Sequence, residues 1–280
     1  MINAAKDVLL ESFQITLFVL IMMITVDLVN VWARGKLASI LHTESKWKQY
    51  IVTSFIGSIP GDVGAFAVVS LYIYGMIGFS TLSGAMLAGS GDGAFVMLAM
   101  FPKTAIFLFI TLFIVGIFAG RVTDYLVGKF KIKVSQGCGV KQYHKEHENY
   151  RHYLKEHVWN HIIRKHLWKI FLWTFGALFL LNIGLSHWHI QKLASEYTLL
   201  LLFVGALIGL IPESSPNLII ITMFAGGLIP FSVLFTNSIV QNGHGLLPLL
   251  SYSVKDSILI KLFNFSFGIT LGLILYSIGI

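Results

Sequence analysis

Four groups able to act as acids, bases or metal ligands stand beside helix-breaking residues in a chain that is 56% hydrophobic and only 12% charged. Asp62 follows Ile59-Pro60-Gly61, and Asp92 lies in Gly89-Ser90-Gly91-Asp92-Gly93. Glu213 sits in Ile211-Pro212-Glu213-Ser214-Ser215-Pro216-Asn217, and His244 in Gln241-Asn242-Gly243-His244-Gly245. Proline removes a backbone donor and glycine frees the dihedrals, so helices break at these points. Three carboxylates, one imidazole and the neutral oxygens of Ser214, Asn217, Asn237, Gln241 and Asn242 make a mixed oxygen and nitrogen donor set. Such a set suits Mn²⁺, Fe²⁺, Co²⁺ or Zn²⁺ better than thiolate-seeking ions. The competing assignment is architectural: the same groups cap broken helix ends and pair with Lys103 or Lys255.

The breaks occur twice. The stretch from Gly57 to Gly120 falls without a gap on Gly209 to Gly272, so that Ile59-Pro60 meets Ile211-Pro212 and Gly75 meets Gly227. In the same register Gly91-Asp92-Gly93 meets Gly243-His244-Gly245, Lys103 meets Lys255, and Gly116 and Gly120 meet Gly268 and Gly272. Shared apolar composition would not align prolines, paired glycines and lysines together. The match also extends back through Glu44 on Glu196 and Asn30 on Asn182. The chain reads as a duplication, polar punctuation included.

The elements that carry these breaks are set by composition. Soluble domains average about 25% charged residues, and this chain of 280 residues has a mean hydropathy of +0.78. Apolar runs recur at Ile15–Val31, Ile106–Ala119, Ile170–Gly184 and Leu199–Ile211. A transmembrane helix needs roughly 20 largely apolar residues, so the expected class is an all-α polytopic membrane protein with about 10 membrane segments. Its divisions are a first membrane repeat over residues 1–127, a basic His-rich loop over 128–168 and a second repeat over 169–280. The run after Met1–Ser12 is too long for a signal-peptide core and reads as a retained first helix. A single cysteine, Cys138, excludes an internal disulfide or thiolate cage. The net charge of +7 collects in loops, where membrane orientation explains it without nucleic acid.

Helix one is expected near Val8–Val31, with Asp27 as a capping or snorkelling acid, followed by a basic loop with Arg34, Lys36, Lys46 and Lys48. Tyr50–Ile77 is broken at Ile59–Gly64, giving either two short spans or one re-entrant hairpin. Phe79–Phe101 is a second broken segment, and Pro102 opens a long clean span. If each half crosses an odd number of times, the halves are inverted and both basic loops fall on one side, as the charge bias requires. The expectation is therefore an inverted repeat in a bacterial-type inner or plasma membrane, with the central loop cytoplasmic and both termini outside.

Inverted repeats with helices broken at matching positions are the sequence signature of secondary transporters, with the substrate near the midplane. Irregular backbone at that depth is tolerated only inside protein or along a wet cavity. Ionisable groups there cost roughly 2.5–3.5 kcal/mol each on insertion scales and mark a pathway. The glycine-rich breaks are not phosphate loops, because no Lys-Ser/Thr pair follows in a strand–helix context. In the central loop, His144, His147, His157 and His161 have two readings: an accessory metal site, or part of a basic amphipathic segment on an anionic leaflet. Lys103 and Lys255 read as interfacial or ion-paired structural groups, and His187 and His189 as interfacial groups rather than ligands.

At Ile211-Pro-Glu-Ser-Ser-Pro-Asn, Gly227-Leu-Ile-Pro-Phe-Ser, Asn237-Ser-Ile-Val-Gln-Asn-Gly-His-Gly and Leu246-Leu-Pro-Leu-Leu the chain resembles the ten-transmembrane heavy-metal exporters. These are arsenical-permease-like proteins, sometimes described as manganese transporters. The resemblance covers nearly the whole chain, with Ile59-Pro-Gly-Asp and Gly91-Asp-Gly as first-half counterparts. It implies efflux of a metal or metalloid, with Asp62, Asp92, Glu213 and His244 at the matching polar positions. Read together, these features point to a non-enzymatic secondary transporter exporting a divalent transition metal by proton antiport. It needs no permanent cofactor, and its partners are the lipid bilayer, the transported metal ion and protons, with a homodimer open. The alternatives are a metalloid or anion permease and, from another class, a membrane oxidoreductase with a di-metal centre built from the loop histidines.

Overall fold

The computed structural model describes residues 6, 8–10, 12–14, 16, 17, 20, 21, 45–73, 75–135, 168, 171, 172, 175, 176, 179 and 197–280. All regular elements among them are helical, apart from an isolated bridge between Gly61 and Gly91. The first half contributes α1 (Lys46–Gly57), α2 (Val63–Ile73), α3 (Phe79–Ala88), α4 (Gly93–Met100) and α5 (Pro102–Lys129). The second contributes α6 (Thr198–Gly209), α7 (Asn217–Ala225), α8 (Phe231–Val240), α9 (Leu246–Tyr252) and α10 (Val254–Ser277), with a 3₁₀ turn at Gly243–Gly245 ahead of α9. Described residues between 6 and 21 are also helical.

Among the described residues, two helices, α5 and α10, are long and apolar enough to cross a membrane. Their burial pattern is that of lipid-facing helices. On α5, Ile106, Ile110, Ile114, Phe118, Val122 and Tyr125 form an exposed stripe at helical spacing, while the buried face is Ala105, Leu108, Leu112, Gly116, Ala119, Gly120 and Thr123. Large apolar side chains outside and small ones inside is what helix association in lipid favours, since close backbone approach replaces the hydrophobic drive available in water. Gly84 of α3 lies so close to Gly116 and Gly120 that a Cβ there would collide with the Gly116 carbonyl.

The remaining helices are short because the breaks stop them. At about 1.5 Å per residue, the 12 residues of α1 span only part of a bilayer. α1 runs alongside α3 in the same direction, with Tyr50 beside Ser80 where both meet Gly120, and Gly57 beside Ala85. α2 then turns back along α1: Gly64 lies against the Ile56 carbonyl, and Tyr72 ends beside Phe79, ring centroids 6.5 Å apart. α1 and α2 thus form an antiparallel pair, a geometry common to both sequence expectations for Tyr50–Ile77. The second half does the same, with Gly209 against Val240 and Phe224 ending beside Phe231 at 6.3 Å.

The halves interlock reciprocally: α2 packs on α9 of the other half, and α7 packs on α4. Directions follow from the ends. The start of α3 meets α10 in its first half (Phe79–Phe263, 6.2 Å) and α5 near its end (Ser80–Asp124, 3.2 Å). The start of α8 instead meets the start of α5 (Phe107–Phe231, 5.9 Å). So α3 and α8 enter the molecule from opposite ends, and their C-terminal tips meet in the middle. One apolar cluster lies toward each end, and polar residues occupy the level between them.

Charge is unequal between the ends. Lys46, Lys48, Arg121, Lys129, Lys131 and Lys133 gather where α1 starts and α5 finishes, and Lys255 joins them. Its neighbour Asp256, fully buried, accepts hydrogen bonds from Tyr72 Oη at 2.9 Å and from the Ser135 amide at 3.3 Å, which fixes the start of α10 beside the exit of α5. Lys103 stands at the other end and, like Lys255, is exposed. Asp27, Cys138, His187, His189 and the loop histidines lie outside the described residues.

Candidate functional site

The four breaks converge. Asp62 immediately precedes α2 and Asp92 is the N-cap of α4. The Gly61 amide donates to the Gly91 carbonyl at 3.0 Å, tying the two first-half tips together. Carboxylates at helix N-termini are favoured by the helix dipole. The second half brings His244 up against them: its Nδ1 lies 2.9 Å from Asp62 Oδ2, and its backbone amide donates to the same oxygen at 3.2 Å. The other ring nitrogen, Nε2, lies 3.0 Å from Glu213 Oε1. Ser215 Oγ donates to that glutamate oxygen at 2.9 Å and holds it in place.

Asp62, Asp92 and His244 can each present a ligand atom with all three atoms within 4.8 Å of one another. Burial is graded across the group. Asp62 and Asp92 are buried, the His244 side chain is 14% exposed and that of Glu213 29%. The site is therefore closed on the aspartate side and opens past Glu213. Such an arrangement has the ligand types of a divalent transition-metal site, with histidine linking carboxylates from both halves.

The neutral residues divide into two sets. Asn217 and Asn237 brace the tips: Asn217 Nδ2 donates to the Glu213 carbonyl at 3.1 Å, and Asn237 Nδ2 donates to Asn217 Oδ1 at 2.8 Å and to the Gly205 carbonyl at 2.9 Å. Asn242 joins the halves, its Nδ2 donating to the Met86 carbonyl at 3.0 Å. Ser214 and Gln241 are buried too, but their Oγ and Oε1 atoms have no hydrogen-bonding partner, and Asp62 Oδ1 is in the same condition.

One functional candidate went unread in the sequence. Lys261, buried in α10, donates from Nζ to the Gly209 carbonyl at 2.8 Å and to the Val240 carbonyl at 3.1 Å. These carbonyls end α6 and α8, so one ammonium satisfies the negative ends of two broken helices. The signal was available: Lys261 is a cation inside an apolar span, and Phe109 occupies its counterpart position in the first half.

The profile of a family described as "Putative, 10TM heavy-metal exporter" matches residues 2–177 and 168–278. No curated protein and no solved structure matches the chain. With nearly its whole length covered by that profile, and with an all-helical, lipid-facing architecture, the chain belongs to the 10TM heavy-metal exporter family, a family of multi-span membrane proteins.

Proposed function

We propose that the protein is a secondary active exporter of a divalent transition-metal cation of the Mn, Fe, Co or Zn class, working by proton antiport through Asp62, Asp92, Glu213 and His244. The observation that carries this reading is the His244 ring between two carboxylates, 2.9 Å from Asp62 and 3.0 Å from Glu213. Two such contacts require two hydrogens, and a neutral imidazole supplies one. The second belongs either to an imidazolium or to a carboxylic acid, so the metal-free site holds an exchangeable proton. A divalent ion needs neutral imidazole and ionised carboxylates, and therefore releases that proton on binding. Re-protonation from the far side then expels the ion.

The exchange of access is read as a rocking of two inverted repeats about this centre. The opposed entry of α3 and α8 and the reciprocal packing of α2 on α9 and α7 on α4 support that reading. The basic end, with Lys46 through Lys133 and Lys255, is taken as cytoplasmic by the charge bias of membrane loops. An anion substrate fits less well, because Asp62 and Asp92 already occupy the helix N-termini an anion would use. The loop histidines His144, His147, His157 and His161 are proposed as an accessory collector feeding the site from the cytoplasm.

In proteoliposomes, internal pH is followed while a gradient of Mn²⁺, Fe²⁺, Co²⁺ or Zn²⁺ is imposed. Metal flux with opposite proton movement is expected, and His244→Ala abolishes it. Flux without proton movement refutes the antiport, and no flux of any of these ions refutes the substrate class.

A further inference from the structure

Beside the His244 centre lies a second group of donors that this reading does not use. Asp62 Oδ1, Ser214 Oγ and Gln241 Oε1 are unpaired, and their residues are only 6%, 5% and 3% exposed. They surround one small space. A Cβ built on Gly91 would lie 3.1 Å from Gln241 Oε1, 3.2 Å from Ser214 Oγ and 3.3 Å from Asp62 Oδ1. One built on Gly243 would lie 2.6 Å from Ser214 Oγ and overlap Asp62 Oδ1. The two glycines have φ of +54° and +53°, a conformation that side chains disfavour, and together they keep the space clear. Asp62 and Ser214 are matching positions of the two repeats, as are Gly91 and Gly243, so the cradle lies where the halves meet symmetrically.

Unpaired buried acceptors facing one another are unfavourable, since each has lost its water without a replacement. A water molecule can donate to Asp62 Oδ1 and Gln241 Oε1 and accept from the Ser214 hydroxyl, but it brings no charge to the buried carboxylate. A cation satisfies all three at once. The donors are a carboxylate, a hydroxyl and an amide oxygen, all hard and without nitrogen, which favours a hard cation over the nitrogen- and thiolate-seeking transition metals. The charge is also limited: only one carboxylate oxygen faces the space, and the other is engaged by His244. A monovalent ion there is matched by the Asp62 charge alone, whereas a divalent ion would also have to draw on Asp92, which belongs to the His244 centre.

We propose that this cradle is a second cation site, taking a hard monovalent cation of the sodium class. Its competition with the exported metal rests on the proposed function, because the two sites share Asp62. The cradle itself does not. Sodium held by Asp62 Oδ1 weakens metal binding through Asp62 Oδ2, which makes sodium a second exchange partner beside the proton.

The test uses the purified full chain in detergent, at fixed pH and free of transition metal. Thermal unfolding is followed as choline chloride is replaced by NaCl or KCl at constant ionic strength. Sodium is expected to raise Tm saturably, as a ligand of the folded state does, and potassium to do so less. Ser214→Ala and Gln241→Met should melt like the wild type in choline, keep their Tm response to Mn²⁺, and need about tenfold more sodium for half-saturation. Added sodium should also weaken the wild-type response to Mn²⁺. Equal responses to sodium and potassium, or variants that respond to sodium as the wild type does, overturn the cradle. A Mn²⁺ response with no sodium response overturns the cradle alone. A sodium response with no response to any divalent ion supports the cradle and overturns the exporter reading.

Discussion

Replacing Gly243 with alanine tests whether the proposed metal site depends on the close approach of the two halves. Gly243 has φ of +53°, and Gly227 has φ of +68° in open space, with nothing within 4 Å of a Cβ. Alanine at either position takes the same conformational penalty, about 1–2 kcal/mol for a left-handed residue. At Gly227 that is the whole cost. At Gly243 the new methyl also overlaps Asp62 Oδ1 and comes within 3.2 Å of Asp62 Cγ, so the carboxylate must move. Its other oxygen is held by His244 Nδ1 at 2.9 Å and by the His244 amide at 3.2 Å, and a shift of the carboxylate breaks at least one of these. A hydrogen bond to a charged group is worth about 1.5–3 kcal/mol, which corresponds to roughly ten- to a hundredfold in affinity. Gly243→Ala should therefore weaken Mn²⁺ binding by about that factor relative to Gly227→Ala, and should also lose about 1.5–3 kcal/mol more of intrinsic stability. The assay is the Mn²⁺ dependence of Tm for both variants and the wild type. If the two variants bind Mn²⁺ equally well, the reasoning from tip contact to ligand placement is refuted.

Three further outcomes are expected. In a Cys138→Ser background, a membrane-impermeant thiol reagent applied from outside intact cells should label Lys103→Cys but not Lys48→Cys, and the reverse pattern would refute the assigned orientation. Lys261→Met should lower stability by about 2–5 kcal/mol by leaving the Gly209 and Val240 carbonyls unpaired, and an unchanged Tm would show that the ammonium does not hold the tips. Deleting residues 144–161 should slow metal export at low metal concentration while leaving transport at saturation, and unchanged metal dependence would remove the collector role from the loop.

Much of this protein was legible in one dimension because its constraints are local. Lipid demands apolar spans, and helices fail where proline and glycine stand, so Pro60, Pro212 and the paired glycines mark the interruptions and the register of the duplication in the sequence itself. The ionisable residues at those interruptions were visible for the same reason: there are few of them in an apolar chain. What the sequence left open was which way each broken segment turns, because two short spans and a re-entrant hairpin have the same pattern. Packing shows each pair folded back, with Gly64 against Ile56 in the first half and Phe224 brought beside Phe231 in the second. The sequence also could not sort polar side chains by role. Asn217 and Asn237 are spent on backbone carbonyls and each other, while Ser214 and Gln241 turn their oxygens toward Asp62, a division set by neighbours far away in the chain. Lys261 was readable as an anomaly but not as a cap, since the two helix ends it joins, at Gly209 and Val240, come together only in three dimensions. The residue types and their spacing are local properties of the chain, whereas the meeting of Asp62 with His244 depends on contact between the two halves, and only the tertiary structure supplies that contact.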